Sequence, residues 1–302
     1  MIDRACISLN HRCNLTCSYC HFAGKENQTA NKEFEFSEGE VRKIVYNIVE
    51  YCKEKGINTF KLGIVGSGEP LLSFTVLKAI VNEARILNKS IFKIYTISNG
   101  TLINDEQLRF FYENKDIISL NFSLDGPECV HGAARQGFNK TMAAVESYES
   151  VFGEKPRVNA TCTRLTLNNA GEVISFFVEN GFKNVDFSIV SDTDDENIKI
   201  SEVEYENFLD KCGQYGLMTR QMRAGSGEVR DCAKYGRLCG VGVTNIFYTR
   251  KGIYPCGRFF GSDDYIIAPF DSKLNEAEKN MQKFIPVAQG ECYYDTKVVK
   301  KL

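Results

Sequence analysis

Three cysteines near the start of the chain, Cys13, Cys17 and Cys20, are separated by three and then two intervening residues. That spacing keeps them in one tight loop, where their thiolates can converge on one face of a metal cluster. Iron–sulfur clusters are held by such thiolates, usually four of them. Three leave one iron of a 4Fe–4S cube open to a ligand that the protein does not supply. A zinc knuckle is the competing reading of the same spacing. The chain carries twelve cysteines in 302 residues. Clustered thiols in a chain with no secretory signal point to metal or redox chemistry rather than to a disulfide framework.

The elements around the loop must hold it. Ala5, Ile7 and Leu9 alternate along Arg4 to Leu9, which predicts a strand feeding into the cysteines. Ser37 and Glu40 form a capping box, Val41, Ile44, Val45, Ile48, Val49 and Cys52 recur at helical spacing, and Gly56 closes that helix. Further strands are expected over 59–65, 91–97, 117–124, 157–163 and 184–190, and helices over 76–87, 105–114, 141–151, 170–180 and 202–213. Such alternation predicts βαβ units and a parallel α/β sheet. Right-handed crossovers would curl six units into a partial, TIM-like (β/α)6 barrel with its site at the C-terminal strand ends. The rhythm is lost after about Ser191. A boundary near residue 215 divides the chain into a barrel, 1–214, and a small module, 215–302.

Cys13-x3-Cys17-x2-Cys20, with Tyr19 before the third cysteine, resembles the signature of the radical S-adenosylmethionine (radical SAM) superfamily. The resemblance implies a 4Fe–4S cluster on the three cysteines, with the amino and carboxylate groups of SAM on the open iron. Gly66-Ser67-Gly68-Glu69-Pro70 resembles the family's GGEP element, which implies that Glu69 and the strand-end backbone receive the SAM amino group. Glycines at 66 and 68 would let the backbone approach the ligand, and a carboxylate pairs with an ammonium. Ser98-Asn99-Gly100 stands where Thr-Asn-Gly is more usual.

Ser123-Leu124-Asp125-Gly126-Pro127 resembles the SLDGP element of the peptide-modifying branch. It implies cofactor contacts from Ser123 and Asp125, with Arg135 reaching the SAM carboxylate. His131-Gly132 stands where that branch more often has His-Asp. By the same resemblance Tyr19 lies near the adenine, and Ile189 or Val190 forms the adenine wall.

A second constellation, Cys232, Cys239, Cys256 and Cys292, resembles the cysteine pattern of SPASM and twitch domains. Four thiolates would complete one auxiliary 4Fe–4S cluster; scattered cysteines packed as small apolar groups are the competing reading. The second cysteine group of a full SPASM domain is missing from the sequence, so only one auxiliary cluster is expected. Cys129 and Cys162, near strand ends, are candidate hydrogen-atom donors to a substrate radical. Gly257 follows Cys256 where anaerobic sulfatase-maturing enzymes carry an aspartate base, which counts against sulfatase maturation.

The resemblance implies an oxidoreductase or peptide maturase. Reductive cleavage of SAM to a 5'-deoxyadenosyl radical would be followed by hydrogen abstraction from a ribosomally made peptide, giving a crosslink, a thioether or an epimer. The alternatives are a radical SAM dehydrogenase or cyclase of a small metabolite and, from another class, a non-catalytic metal-binding protein. The barrel starts at once, so a peptide leader is expected to bind the barrel mouth or a separate protein. Flavodoxin or ferredoxin is the expected electron donor. A net charge of −2 gives no reason to expect nucleic acid. No apolar run of about 18 residues predicts a membrane span, and a cytoplasmic enzyme is expected.

Overall fold

Eight strands form one sheet: β1 (Arg4–Ile7), β2 (Phe60–Ile64), β3 (Phe92–Ser98), β4 (Ile118–Ser123), β5 (Val158–Cys162), β6 (Val185–Ile189), β7 (Asn245–Thr249) and β8 (Gly252–Tyr254). The computed structural model describes residues 1–20, 22, 34–190, 193, 195–217, 219, 240–284 and 294. The strand order is β6-β5-β4-β3-β2-β1-β7-β8, and every pairing is parallel except that of β7 with β8.

The connecting helices are α1 (Glu38–Lys55), α2 (Phe74–Asn88), α3 (Asp105–Glu113), α4 (Glu128–Ala134), α5 (Phe138–Phe152), α6 (Arg164–Asn168), α7 (Ala170–Glu179), α8 (Glu202–Gln214) and α9 (Leu274–Met281). The capping box is present at α1: Ser37 Oγ accepts from the Glu40 amide, and the Glu40 carboxylate accepts from the Ser37 amide at 2.7 Å. Gly56 ends that helix at φ +68°, a conformation glycine adopts without steric cost. Among the described residues no helix is long and apolar enough to cross a membrane.

Strand register decides what the site can contain. One parity (Ala5, Ile7, Leu62, Ile64, Ile94, Leu120, Phe122, Val158, Ala160, Val185, Phe187) is buried and apolar. This face packs under the helices. The other parity carries Cys6, Gly63, Tyr95, Ser119, Asn121, Ser123, Asn159, Thr161, Asp186 and Ser188 in matching register. Parallel sheets covered on both faces are apolar throughout; here one face is polar and available to ligands.

Residues 245–254 lie in the segment read from the sequence as a separate module, yet they extend the barrel's own sheet. Ala5 pairs with Ile246 and Ile7 with Tyr248. Helix α9 then packs beside α1, where Glu278 takes ion pairs from the Met1 amino group at 2.9 Å and from Lys55 at 3.1 Å. Strands β7 and β8 thus belong to the same sheet as β1 to β6.

Candidate active site

Cys13, Cys17 and Cys20 line one side of a cavity of about 440 Å³ at the C-terminal end of the sheet. Facing them are Val65 to Glu69 beyond β2, Ile97 and Asn99 at the end of β3, Ser123 at the end of β4, and Arg135 just after α4. The cysteine loop is pinned at three places. Asn10 Nδ2 donates to the Glu69 carbonyl at 3.1 Å and to Ser73 Oγ at 2.7 Å, while the Glu69 amide donates to the Arg12 carbonyl at 2.8 Å. Asn99 Nδ2 donates to Asn14 Oδ1 at 2.9 Å. The Ser18 amide donates to the Ala134 carbonyl at 2.9 Å. Asn10 was not singled out from the sequence, where only its place just before the cysteines marks it.

The two glycines of the β2 loop are required by this packing. A Cβ on Gly66 would lie 2.3 Å from Ser8 Oγ, and one on Gly68 would lie 2.1 Å from Asn10 Oδ1 and 2.6 Å from the Arg12 carbonyl. Their absent side chains admit the cysteine loop itself. Gly68→Ala is expected to cost about 1–3 kcal/mol by overpacking, read as a lowered denaturation midpoint with an unchanged slope. A midpoint equal to wild type would contradict this packing.

Glu69 is buried, and its carboxylate accepts from the Leu71 amide (3.1 Å), Ser98 Oγ (2.8 Å) and the Asn99 amide (2.9 Å). Burial pushes its pKa up, and these three donors and Arg135 oppose the rise. A carboxylate has about four acceptor sites, so three are filled and one is left for a cationic donor in the cavity. Ser98 acts through Glu69, since its hydroxyl is directed at that carboxylate.

Asp125 and Arg135 form a buried ion pair. The guanidinium donates from Nε to Oδ2 at 3.1 Å and from Nη2 to Oδ1 at 3.3 Å. Asp125 also accepts from the Tyr19 hydroxyl and, at 2.8 Å, from the Thr161 amide. Its acceptor sites are thus filled from within the protein, which leaves it to position Arg135 rather than touch a ligand. Burial alone would raise the Asp125 carboxyl, but Arg135 holds it below its usual range. Nη1 of Arg135 stays on the cavity side, 3.9 Å from Cys17 Sγ. Tyr19 packs under the guanidinium at 5.4 Å from the ring centroid, so its side chain is engaged by Arg135 and Asp125.

Three of the sequence candidates lie away from the cavity wall, two of them by strand register. Cys162 pairs with Ile189, and both fall on the helix-covered parity with Ala160 and Phe187. Cys162 is fully buried in that apolar layer, where burial, and next Cys212, push its thiol well up. Ile189 packs against the same core. Cys129 lies in the first turn of α4, exposed, with its thiol directed at Glu172 of α7 at 3.6 Å. The apolar residues that do line the cavity are Leu15, Val65 and Ile97. Parity with Ser123 was the signal that could have found Ile97. Cys256 lies two residues beyond β8, after Pro255; Cys232, Cys239 and Cys292 lie outside the described residues.

Residues 7–153, which contain this whole wall, match the family model of the radical SAM superfamily. The chain carries a radical SAM domain. It is 24% identical over 212 residues to a cysteine-type anaerobic sulfatase-maturating enzyme of Clostridium perfringens, covering 65% of this chain and 55% of that relative. The chain thus spans little more than half that relative's length. The solved structure of native anSMEcpe with bound AdoMet superposes with a TM-score of 0.77 at 18% identity, over 97% of this chain and 86% of that one. Streptococcus suis SuiB bound to its precursor peptide SuiA superposes with a TM-score of 0.67 at 17% identity, over 92% of this chain and 64% of that one. At these identities the likeness is one of fold.

The radical SAM family implies a 4Fe–4S cluster and SAM, and the wall fits that pair. Cys13, Cys17 and Cys20 line the same cavity and offer three of the thiolates by which such clusters are held.

Proposed function

We propose that this radical SAM domain acts on a ribosomally made peptide, taking a hydrogen atom from it to form a crosslink, a thioether or an epimer. The observation that carries the reading is the convergence of Cys13, Cys17, Cys20, Glu69 and Arg135 on one cavity. In this reading the three cysteines hold the 4Fe–4S cluster. Glu69 offers its fourth acceptor site to the SAM ammonium, and Arg135 faces the SAM carboxylate. Ser123 and Asn99 border the same ligand, with Gly66 and Gly68 admitting the loop that carries the cluster. Bound there, the cluster and SAM supply one-electron reduction and hydrogen-atom abstraction. What the chain contributes is orientation and a site closed to competing reactions.

The peptide assignment is supported by the relatives: SuiB is seen with a precursor peptide, and sulfatase-maturating enzymes modify a protein. The polar parity of β4 to β6 supplies hydrogen-bonding groups suited to amides. Sulfatase maturation itself is not the favoured chemistry, because Gly257 offers no carboxylate. An auxiliary 4Fe–4S cluster on Cys232, Cys239, Cys256 and Cys292, a separate leader-binding protein and a flavodoxin or ferredoxin donor belong to the same proposal, as does a C-terminal twitch-like module.

The test is anaerobic turnover with SAM and reductant in deuterated water, using a short peptide encoded beside the gene and read by mass spectrometry. Loss of two hydrogens would show an oxidative crosslink or thioether, and gain of one deuterium an epimerisation. An unchanged peptide with SAM still cleaved would overturn the peptide assignment in favour of a small-metabolite dehydrogenase or cyclase.

A further inference from the structure

Between Asp125 and Arg135 the chain makes a single seven-residue helix, and one side chain inside it ties both ends together. His131 is fully buried. Its Nδ1 accepts from the Asp125 amide at 3.3 Å. Since that nitrogen accepts, the proton of the neutral ring belongs on Nε2, which donates to the Gln136 carbonyl at 3.1 Å. The His131 carbonyl also accepts from the Arg135 amide at 2.7 Å and the Gln136 amide at 3.2 Å. Gln136, at φ 73°, is the one described residue other than glycine in the left-handed region. Such a conformation costs about 1–3 kcal/mol and persists only where neighbours impose it. It turns the chain directly after Arg135, so the bond to its carbonyl bears on the guanidinium's place in the cavity.

We infer that His131 is a positioning residue for the SAM site, setting the Asp125–Arg135 pair through its neutral, Nε2-protonated imidazole. The inference rests on the functional reading above. His131 touches no ligand in this account and acts through the backbone on either side of the ion pair. A second proton on the ring would turn Nδ1 into a donor facing the Asp125 amide, also a donor, and would break the clamp. Among the described residues the charged groups that bear on the ring are the Asp125 carboxylate and the Arg135 guanidinium, and α5 presents the Phe138 ring to it, with centroids 5.8 Å apart. Burial pulls the His131 pKa below its ordinary value; Asp125 opposes this and Arg135 adds to it. The neutral ring, and with it the clamp, is therefore present at neutral pH and lost as pH falls through that lowered value.

The experiment is equilibrium binding of SAM to the anaerobically reconstituted holoenzyme, wild type and three variants, from about pH 8 down to about pH 4.5, a range that reaches well below an ordinary histidine because burial lowers this one. His131→Phe keeps a ring and removes both bonds. His131→Asn puts an amide oxygen where Nδ1 accepts, and His131→Gln puts an amide nitrogen where Nε2 donates. His131→Phe is expected to weaken SAM by about tenfold or more, the scale of a lost charge-assisted contact, and His131→Asn to recover most of that loss. Wild type should lose affinity on the acid side with a one-proton step that His131→Asn lacks. Equal affinity in wild type and His131→Phe, or parallel acid losses in wild type and His131→Asn, would overturn the inference. Should the variants not fold, nitrogen-15 correlation spectra of the wild type decide it, since the chain has only three histidines. A neutral Nε2–H ring supports the clamp, and an Nδ1–H or charged ring at neutral pH refutes it. A wild type that binds no SAM would count against the functional reading, and the ring tautomer would still decide the role of His131.

Discussion

Cys17→Ser is expected to reduce SAM cleavage to the rate seen without protein while leaving the fold nearly intact. Cys17 is partly exposed on the cavity wall, and Arg135 Nη1 approaches its sulfur at a long 3.9 Å. Exchanges at such positions usually change stability by no more than about 0.5 kcal/mol. The chemical effect is much larger, because a serine hydroxyl does not replace a thiolate as an iron ligand and the loop has no fourth cysteine to take its place. Burial pushes the Cys17 thiol up to about 11, with Arg135 partly opposing this and Asp125, Cys20 and Cys13 adding to it. A thiol in that setting becomes a thiolate when a metal binds it. The measurement is iron and sulfide per chain together with methionine released from SAM. A deficit of about four irons with an unchanged melting curve is the expected pair of results. Cys129→Ser is the matched control: exposed and directed at Glu172, it should change neither quantity. Full SAM cleavage by Cys17→Ser would remove the cysteine loop from the site.

Much of this arrangement is legible in local sequence, and what is not has identifiable causes. The capping box at Ser37 and Glu40, the glycine stop at 56 and the alternation along β1 to β6 are nearest-neighbour signals, and the elements they predict form within a residue or two. The cysteine loop and Glu69 are marked by spacing and by a glycine-rich turn. The expectation of Cys162 and Ile189 in the cavity failed on parity. Once Ser123 faces the cavity, its register partner Asn159 faces it too, and Cys162, three residues on, must face the helices. Cys129 was misplaced because residues 128–134 show no apolar period long enough to reveal α4. The pairing of β7 with β1 joins Ala5 to Ile246, a contact across most of the chain that no local pattern encodes. The neighbours of the two glycines are likewise invisible in local sequence: Gly66 admits Ser8, and Gly68 admits Asn10 and Arg12, and only the fold brings those together.

Arg135→Met separates the two things the arginine does. In the folded chain Asp125 is 1% exposed, and its charge is balanced by Nε and Nη2 of Arg135. Removing one partner of such a pair leaves an uncompensated buried charge, which costs about 3–5 kcal/mol. The pH dependence fixes the cause. In wild type the Asp125 pKa is lowered, so the pair's contribution is present above about pH 4, the unfolded value, and lost as pH falls through the folded one. Without the guanidinium, burial dominates and Asp125 takes up a proton at much higher pH. The stability gap between wild type and Arg135→Met is therefore expected to be widest near neutral pH and to narrow on acidification, as read by denaturant titrations across that range. A gap independent of pH would mean that lost packing, not the stranded charge, destabilises the variant. Adding Asp125→Asn to Arg135→Met removes the charge without returning the cation. The double variant should regain a large part of the stability and none of the SAM affinity, because in the role proposed for Arg135 the SAM carboxylate still meets no guanidinium. Recovery of both would reduce Arg135 to a structural counterion, and the cavity's recognition of a carboxylate would have to come from another residue on its wall.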